Sequence, residues 1–252
     1  MRLALIVSLT MVAMLMLATD AAQAIQIKNL TQGTTLFDSG GFEGETPGGD
    51  PVNPLVGTYN INPPSRHGLG TVLGLIPGAF EGLQYLKQTS PQNTRETIFA
   101  SPAVTGDVIQ IEFALYLTPG SGETRFRLTG SAAGNHEIGL FDLVPDAHIF
   151  GWNEVTGYPS VNFGIVPASN TWHTVVINHT VGSNDTTLTF DGVSYAGTGM
   201  IADGRGDIAI VDRIRWNGPS GSNPVYVDSI PEPASLAMIG LGGLLALRRR
   251  HA

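Results

Sequence analysis

The sequence predicts an all-β protein, an antiparallel sandwich of many short strands with a hydrophobic segment at each end of the chain. Apolar and polar residues alternate in the middle of the chain with the period of a β-strand. Glycine and proline, 32 and 16 of the 252 residues, interrupt these runs at short intervals. Between the two ends we find no amphipathic helix and no internal repeat. We therefore expect one domain over residues 25–230, long enough to bury a full core.

The first 24 residues have the composition of an export signal. Arg2 supplies a positive charge, an apolar run follows, and Ala22 and Ala24 form the small-x-small pattern that signal peptidase cleaves. We expect residues 1–24 to form a signal helix that is removed, which leaves Ile25 as the first residue of the exported protein. The alternative is an uncleaved anchor, which would not need the two alanines.

The strand pattern is clearest over residues 107–117, where every second position is apolar. These positions are Ile109, Ile111, Phe113, Leu115 and Leu117. Further strands are predicted over residues 123–128, 172–180, 187–190, 193–195, 208–216 and 225–230. Asp191-Gly192 separates two of them and is typical of a tight hairpin turn. So many short strands are expected to pack as two sheets.

The last 22 residues, 231–252, combine three features in a fixed order. An acidic residue between two prolines comes first, an uncharged apolar stretch follows over residues 234–247, and three arginines come next. The residues of the first and third features are Pro231, Glu232, Pro233, Arg248, Arg249 and Arg250. A helix over the apolar stretch would be about 21 Å long, shorter than a hydrocarbon core of about 30 Å. Arginines mark the cytoplasmic side of a membrane, however, and their side chains can extend the span.

This tail resembles the PEP-CTERM sorting signal of bacterial envelope proteins. The resemblance implies recognition and processing by an exosortase, a protease embedded in the membrane. It also implies that the C-terminal hydrophobic helix anchors the protein in the membrane, at least transiently. We therefore expect a protein of the cell envelope or the extracellular matrix.

Short segments of the central domain resemble concanavalin A-like and other carbohydrate-module jelly rolls. Phe42-Glu43-Gly44 resembles their first strand and loop, and residues 225–230 resemble their closing strand. Residues 172–175 and 188–192 are similar to parts of laminin-G-like sandwiches. The resemblance implies an antiparallel jelly-roll β-sandwich whose first and last strands are adjacent.

Composition excludes several classes of partner and site. The chain has no cysteine, so disulfides and thiolate metal sites are excluded. Without Arg2, Asp20, Glu232 and the three C-terminal arginines, nine basic and nineteen acidic residues remain, a net charge of −10. Such a charge argues against nucleic acid and anionic lipid surfaces as partners. It is compatible with neutral glycans and with cations.

Catalytic residues are not apparent in the sequence. A glycoside hydrolase needs two carboxylates that flank the scissile bond. In the run from Glu137 to Asp142, Gly139 occupies the position where a second acid is needed, and strict alternation places the two acids on opposite faces. No serine-nucleophile motif or phosphate-binding loop is present. We therefore expect no enzyme, with a hydrolase or lyase as the weaker alternative.

Two binding sites are predicted, one for a metal and one for a sugar. The jelly-roll resemblance implies that Glu43 and Asp228 lie on neighbouring terminal strands, where carboxylates and carbonyl oxygens would hold a structural calcium ion. The alternative is that these acids are simply solvated. For a sugar, we expect Trp152, Asn153 and Tyr158 to form a platform in a loop, because flat rings stack on pyranose faces. The alternative is an aromatic loop that folds over the edge of the sandwich.

The other two tryptophans, Trp172 and Trp216, are expected to pack in the core or on a sheet face. Two functions therefore remain open. One is a non-catalytic structural protein of the envelope or matrix, and the other is a module that binds an exopolysaccharide.

Overall fold

The computed structural model describes residues 25–42, 45, 54–60, 72–73, 85–88, 94–122, 124–130, 137–143, 150–153, 158–162, 164–183, 185–198, 209–217, 223–228 and 230. Ala22 and Ala24 of the export signal, Glu43 and the whole tail 231–252 lie outside these residues. Within the described ranges, no helix is both long enough and apolar enough to cross a membrane.

Sixteen strands are found in the described residues and are numbered along the chain. They are β1 (Ile25–Asn29), β2 (Thr34–Asp38), β3 (Thr58–Asn60), β4 (Val72–Leu73), β5 (Tyr85–Gln88), β6 (Thr94–Val104), β7 (Val108–Leu117), β8 (Thr124–Thr129), β9 (Glu137–Leu143), β10 (Phe150–Asn153), β11 (Tyr158–Asn162), β12 (Thr171–Thr180), β13 (Asp185–Phe190), β14 (Val193–Thr198), β15 (Ile210–Asn217) and β16 (Val225–Asp228).

The strands form two antiparallel sheets. The front sheet has the order β14-β13-β12-β7-β16-β5-β4, and β1 and β2 join it through the pairing of β1 with β7. The back sheet has the order β11-β10-β9-β8-β15-β6-β3. The chain is thus the antiparallel β-sandwich of jelly-roll type that the sequence predicts.

Strand β7 is the centre of the front sheet. One of its edges pairs with β12 along its full length. The other edge is shared, because β1 pairs with residues 109–113 and β16 pairs with residues 114–117. Ile25 therefore lies opposite Phe113, and Asp228 lies opposite Ala114. The first and last strands of the sandwich thus meet end to end on one edge of β7.

The core lies between the inner faces of the two sheets. The five apolar residues predicted on one face of β7 are all fully buried there. The back sheet contributes Phe99, Leu128, Val211 and Ile214 to the same cluster. Burial of such side chains is the main force that holds a sandwich together.

The predicted start of the sandwich is wrong. The first strand is β1, whereas Phe42 ends a 3₁₀ turn over Gly40–Phe42. Gly40, Gly41 and Phe42 all have positive φ, at 70°, 73° and 61°, and an extended strand cannot form with such angles. Phe42 therefore belongs to a turn and not to a strand, and Glu43 lies outside the described residues. The closing strand is also shorter than predicted, since β16 ends at Asp228.

Candidate functional site

An aromatic row crosses the outer face of the front sheet. Tyr116 lies in the middle, with Trp172 of β12 opposite it on one side and Tyr226 of β16 opposite it on the other. Leu115 and Leu117 flank Tyr116 and point into the core, so strand alternation directs Tyr116 and its two partners outward. All three aromatic residues are half-buried.

Tyr85 of β5 adds a fourth ring to this row. We call the four residues the aromatic quartet: Tyr85, Tyr116, Trp172 and Tyr226. The ring centroids of Tyr116 lie 5.5 Å from Trp172 and 5.7 Å from Tyr226, and those of Tyr85 lie 5.4 Å from Tyr226 and 6.1 Å from Trp172. Every pair is edge-to-face, the arrangement that ring quadrupoles favour.

The side chains of the quartet converge above the sheet. Strands β5 and β12 are three strand spacings apart, which corresponds to about 14 Å between their backbones. The rings of Tyr85 and Trp172 are nevertheless only 6.1 Å apart. Tyr85 is fully buried and forms the base of the quartet, whereas the other three rings remain partly accessible.

The quartet also offers hydroxyl groups. Burial raises the pKa of Tyr226, and the nearby Tyr116 raises it further. At neutral pH the Tyr226 hydroxyl is therefore protonated and can both donate and accept a hydrogen bond. Lys87 of β5 stands opposite Tyr226 and extends the row with a cation.

A polar patch lies on the same outer face, four to six residues from the row along β7. It consists of Lys28, Gln110, Glu112, Asn178 and Thr187. The Lys28 Nζ atom is 3.8 Å from Glu112 Oε2, and both side chains are about one third exposed. Gln110 Nε2 donates to Asn178 Oδ1 at 3.0 Å, and Asn178 Nδ2 donates to Thr187 Oγ1 at 3.4 Å.

The quartet and the polar patch together have the properties of a sugar-binding surface. Aromatic rings supply flat apolar contact area, and amides, hydroxyls and charges fix the orientation of a bound ligand. Because the side chains belong to paired strands, the surface is held rigidly by the sheet. Tyr116 and Glu112 are four residues apart on β7, so the two parts of the surface are about 14 Å apart.

The predicted sugar platform is not in a loop. Trp152 and Asn153 belong to β10, and Tyr158 is the first residue of β11. The two strands form a hairpin in which Asn153 pairs with Tyr158 and Trp152 pairs with Pro159. The backbone therefore brings the three predicted residues together. Their role in binding stays a prediction.

The aromatic quartet was not predicted from the sequence, although a signal was present. Tyr116, Trp172 and Tyr226 each occupy the polar side of an alternating strand, where large aromatic residues need an explanation. The expectation that Trp172 packs on a sheet face is confirmed. What the spacing does not reveal is its contact with Tyr85, which is far away in the chain.

The predicted calcium site is only partly described. Asp228 is fully buried on β16, opposite Ala114 on the outer face. Glu43 lies outside the described residues. No group of three or more histidine, cysteine, aspartate or glutamate residues is arranged to hold a metal in the part of the chain that the structure describes. The calcium ion stays a prediction.

The register of β9 corrects one step of the argument against catalysis. The pairing with β8 skips Leu140, so Glu137 pairs with Thr129 and Asp142 pairs with Arg125. Thr129 and Arg125 are four residues apart on β8, so the two acidic positions share a face. The backbones of these two positions are about 14 Å apart along the strand.

The C-terminal tail matches a known family model, the PEP-CTERM protein-sorting motif, over residues 229–250. The match includes the Pro-Glu-Pro sequence and the three arginines, so the predicted sorting signal is confirmed. The motif indicates an exported, envelope-associated protein that an exosortase processes. It does not itself indicate catalysis.

Solved structures of similar architecture include both lectins and glycan-active enzymes. Lectin II from Ulex europaeus has 12% sequence identity and a TM-score of 0.44, and the match covers 73% of this chain and 96% of the lectin. The alginate lyase vAL-1 from Chlorella virus has 10% identity and a TM-score of 0.41, and the match covers 69% and 90% of the two chains. Likenesses this distant do not indicate what the chain binds. No curated protein sequence matches the chain.

Proposed function

We propose that the chain is an exported, non-catalytic envelope protein that binds an extracellular polysaccharide on the outer face of its front sheet. The observation that carries this proposal is the aromatic quartet. Three partly accessible rings, Tyr116, Trp172 and Tyr226, stand in one cross-strand row on the same face as the polar patch. A purely structural sandwich has no need of accessible aromatic rings there.

The charge of the protein favours a neutral polysaccharide. The mature domain carries a net charge of about −10 by its sequence, which repels polyanions over distances of about a Debye length. On the binding face itself, Lys28 and Glu112 neutralise each other. The amide and hydroxyl groups of the polar patch match the hydroxyl groups of an uncharged sugar.

Two processing steps would deliver this domain. Signal peptidase cleaves after Ala24, and residues 234–247 hold the tail in the membrane until exosortase acts near Pro231-Glu232-Pro233. The sorting motif supports the second step. The mature protein then belongs to the envelope or to the extracellular matrix.

The test uses the mature protein purified from its host. Mass spectrometry first determines both ends, which checks the two processing steps. Binding is then measured on an array of neutral and acidic polysaccharides. We expect binding to neutral polymers, and about tenfold weaker binding after Trp172→Leu or Tyr226→Leu, because the loss of a stacked ring costs about 1–1.5 kcal/mol.

Trp152→Leu is the matched control, because Trp152 belongs to the other predicted platform. It should leave the affinity unchanged, and thermal unfolding should show that all three variants are folded. If the affinity falls only in Trp152→Leu, the site lies on the β10–β11 hairpin and the assignment to the front sheet is wrong. If no polysaccharide binds above background, the protein is a structural component without a glycan ligand. The appearance of new reducing ends during incubation would contradict the absence of catalysis.

A further inference from the structure

A tight turn between β13 and β14 consists of the sequence Asp191-Gly192. β13 ends at Phe190 and β14 begins at Val193, which pairs with it, so the turn has only these two residues. Asp191 and Gly192 have φ angles of 48° and 78°, the positive angles that a two-residue hairpin turn favours. Both residues are exposed, and no atom of the described residues lies within 4 Å of a Cβ atom built on Gly192. The turn is therefore open to solvent.

An Asp-Gly sequence can rearrange when the aspartate side chain is free. The glycine nitrogen bonds to Cγ of the aspartate and loses its proton, and one carboxylate oxygen leaves as water after taking up that proton and a second one from the solvent. The product is a five-membered succinimide ring. Water then opens the ring at either carbonyl group, which restores aspartate or leaves isoaspartate. Glycine favours the attack because it has no side chain to hinder it.

Both carboxylate oxygens of Asp191 are held by the neighbouring strand β12. The Thr174 N–H group donates to Oδ1 at 2.9 Å, and Nδ1 of His173 lies 2.8 Å from Oδ2. The backbone of Asp191 is attached to the same strand, because its N–H group donates to the Thr174 carbonyl oxygen at 3.0 Å. The carboxylate is thus fixed although 47% of the side chain is exposed.

His173 is itself held in place on two further sides. Its Nε2 atom lies 2.8 Å from the carbonyl oxygen of Ala168. Its ring stacks on Phe190, with centroids 4.8 Å apart and an angle of 29° between the planes. The side chain is only 5% exposed, and closely packed side chains keep their rotamers. His173 therefore presents Nδ1 to Asp191 at a constant position.

We propose that His173 and the backbone of Thr174 form a clamp that slows isoaspartate formation at Asp191-Gly192. Ring closure requires Cγ of Asp191 to approach the Gly192 nitrogen. Cγ carries both of the held oxygen atoms, and one of them must leave as water, so the contacts with Thr174 and His173 must break first. Hydrogen bonds to a carboxylate are among the stronger ones in proteins. The clamped turn therefore reacts only during brief openings.

The clamp protects the register of the hairpin. Isoaspartate carries the main chain through its side-chain carboxyl group, which inserts one carbon atom into a turn of only two residues. The pairing of Phe190 with Val193 depends on that turn. In this scheme Asp191 is the modification site and His173 is a positioning residue. The inference does not depend on glycan binding.

Peptide mapping of aged protein tests the proposal. The mature protein is incubated at pH 7, folded or in urea, and is then digested, and mass spectrometry separates the aspartate and isoaspartate forms of each peptide. A second Asp-Gly sequence, Asp203-Gly204, is the internal reference for handling. We expect isoaspartate at Asp191 to form about tenfold more slowly in the folded chain than in urea, which corresponds to about 1.4 kcal/mol of added barrier.

His173→Phe is the diagnostic variant, because it keeps a ring beside Phe190 and removes Nδ1. Isoaspartate at Asp191 should then form at nearly the rate seen in urea, while the rate at Asp203 stays that of the wild type. His173→Asn should restore most of the protection, since its Nδ2 atom is bonded to Cγ as Nδ1 is in histidine. If His173→Phe does not fold, His173→Leu takes its place with the same expectation.

Val211→Ala is the matched control, because Val211 is fully buried in β15 of the back sheet and its truncation weakens the core without touching the clamp. It should leave the rate at Asp191 unchanged. Equal rates at Asp191 in the folded and unfolded wild type would overturn the proposal, and so would slow formation in a folded His173→Phe variant. If Val211→Ala accelerates the reaction as much as His173→Phe does, opening of the whole domain controls the rate and the clamp is refuted.

Discussion

Two histidines on the inner side of β12 differ in the hydrogen-bond partners of their rings. His173 has an oxygen acceptor at each ring nitrogen, Asp191 Oδ2 at Nδ1 and the Ala168 carbonyl at Nε2, both at 2.8 Å. The Nδ1 atom of His179 is hydrogen-bonded to Thr186 Oγ1 at 2.9 Å, and its Nε2 atom has no partner in the described structure. Burial lowers the pKa of His179 to about 4, although the charge of Asp185 opposes this shift.

His179 should make the protein less stable in mild acid. Its pKa is about 6.5 in the unfolded chain and about 4 in the folded one, so the unfolded state binds the proton first as pH falls. The free energy of unfolding should fall by about 2 kcal/mol between pH 7.5 and pH 5 from this residue. The measurement is urea unfolding at both pH values for the wild type and for His179→Leu, which should lack this part of the pH dependence. Equal slopes in the two proteins would contradict the assignment.

Individual strands were predictable where burial imposes a strict alternation. The inner residues of β7 alternate without interruption, and the predicted strand over residues 107–117 differs from the observed one by a single residue. Bulges were not predictable in this way. The pairing of β15 with β6 shifts register between Val211 and Arg213, and the pairing of β8 with β9 skips Leu140. A bulge depends on the partner strand, so one strand's own sequence does not reveal it.

Gly57 connects the two sheets. The preceding residue, Val56, forms a bridge to Asp38 of the front sheet, and the following residue, Thr58, pairs with Ile98 of the back sheet. The φ angle of Gly57 is +81°, and a Cβ atom there would lie 2.6 Å from the carbonyl oxygen of Ile98. The chain can therefore cross between the sheets at this point only with glycine.

Gly57→Ala should destabilise the protein by about 3 kcal/mol, since it combines an unfavourable backbone angle with a clash against backbone. Gly33→Ala is the matched control, because Gly33 also has a positive φ, +65°, but no atom within 4 Å of the added Cβ. The control should cost about 1 kcal/mol. Urea unfolding measures both values, and equal losses would show that the contact with Ile98 does not matter.

At the scale of the whole molecule, the sequence predicted the class of fold better than the site. The alternation of apolar and polar residues, the turn residues and the sorting tail are local patterns. They predicted the sandwich and the sorting of the protein to the envelope. The aromatic quartet is not local. Tyr85 and Trp172 are 87 positions apart in the sequence, and their contact depends on the strand order of the front sheet. For this reason the sequence alone favours Trp152 over Trp172 as the exposed tryptophan.

Because β16 and β1 meet end to end, the two ends of the sandwich lie at neighbouring positions along β7. A short glycine-rich linker between Asp228 and Ile25 should close it without disturbing β7, and new ends can then be opened in the exposed turn between Gly192 and Val193. We expect this circular permutant to fold and to keep the glycan binding proposed above, as measured by circular dichroism and on the array. Failure to fold would mean that the free ends at Ile25 and Asp228 are themselves required. The native positions of the two ends of the domain would then be necessary for folding.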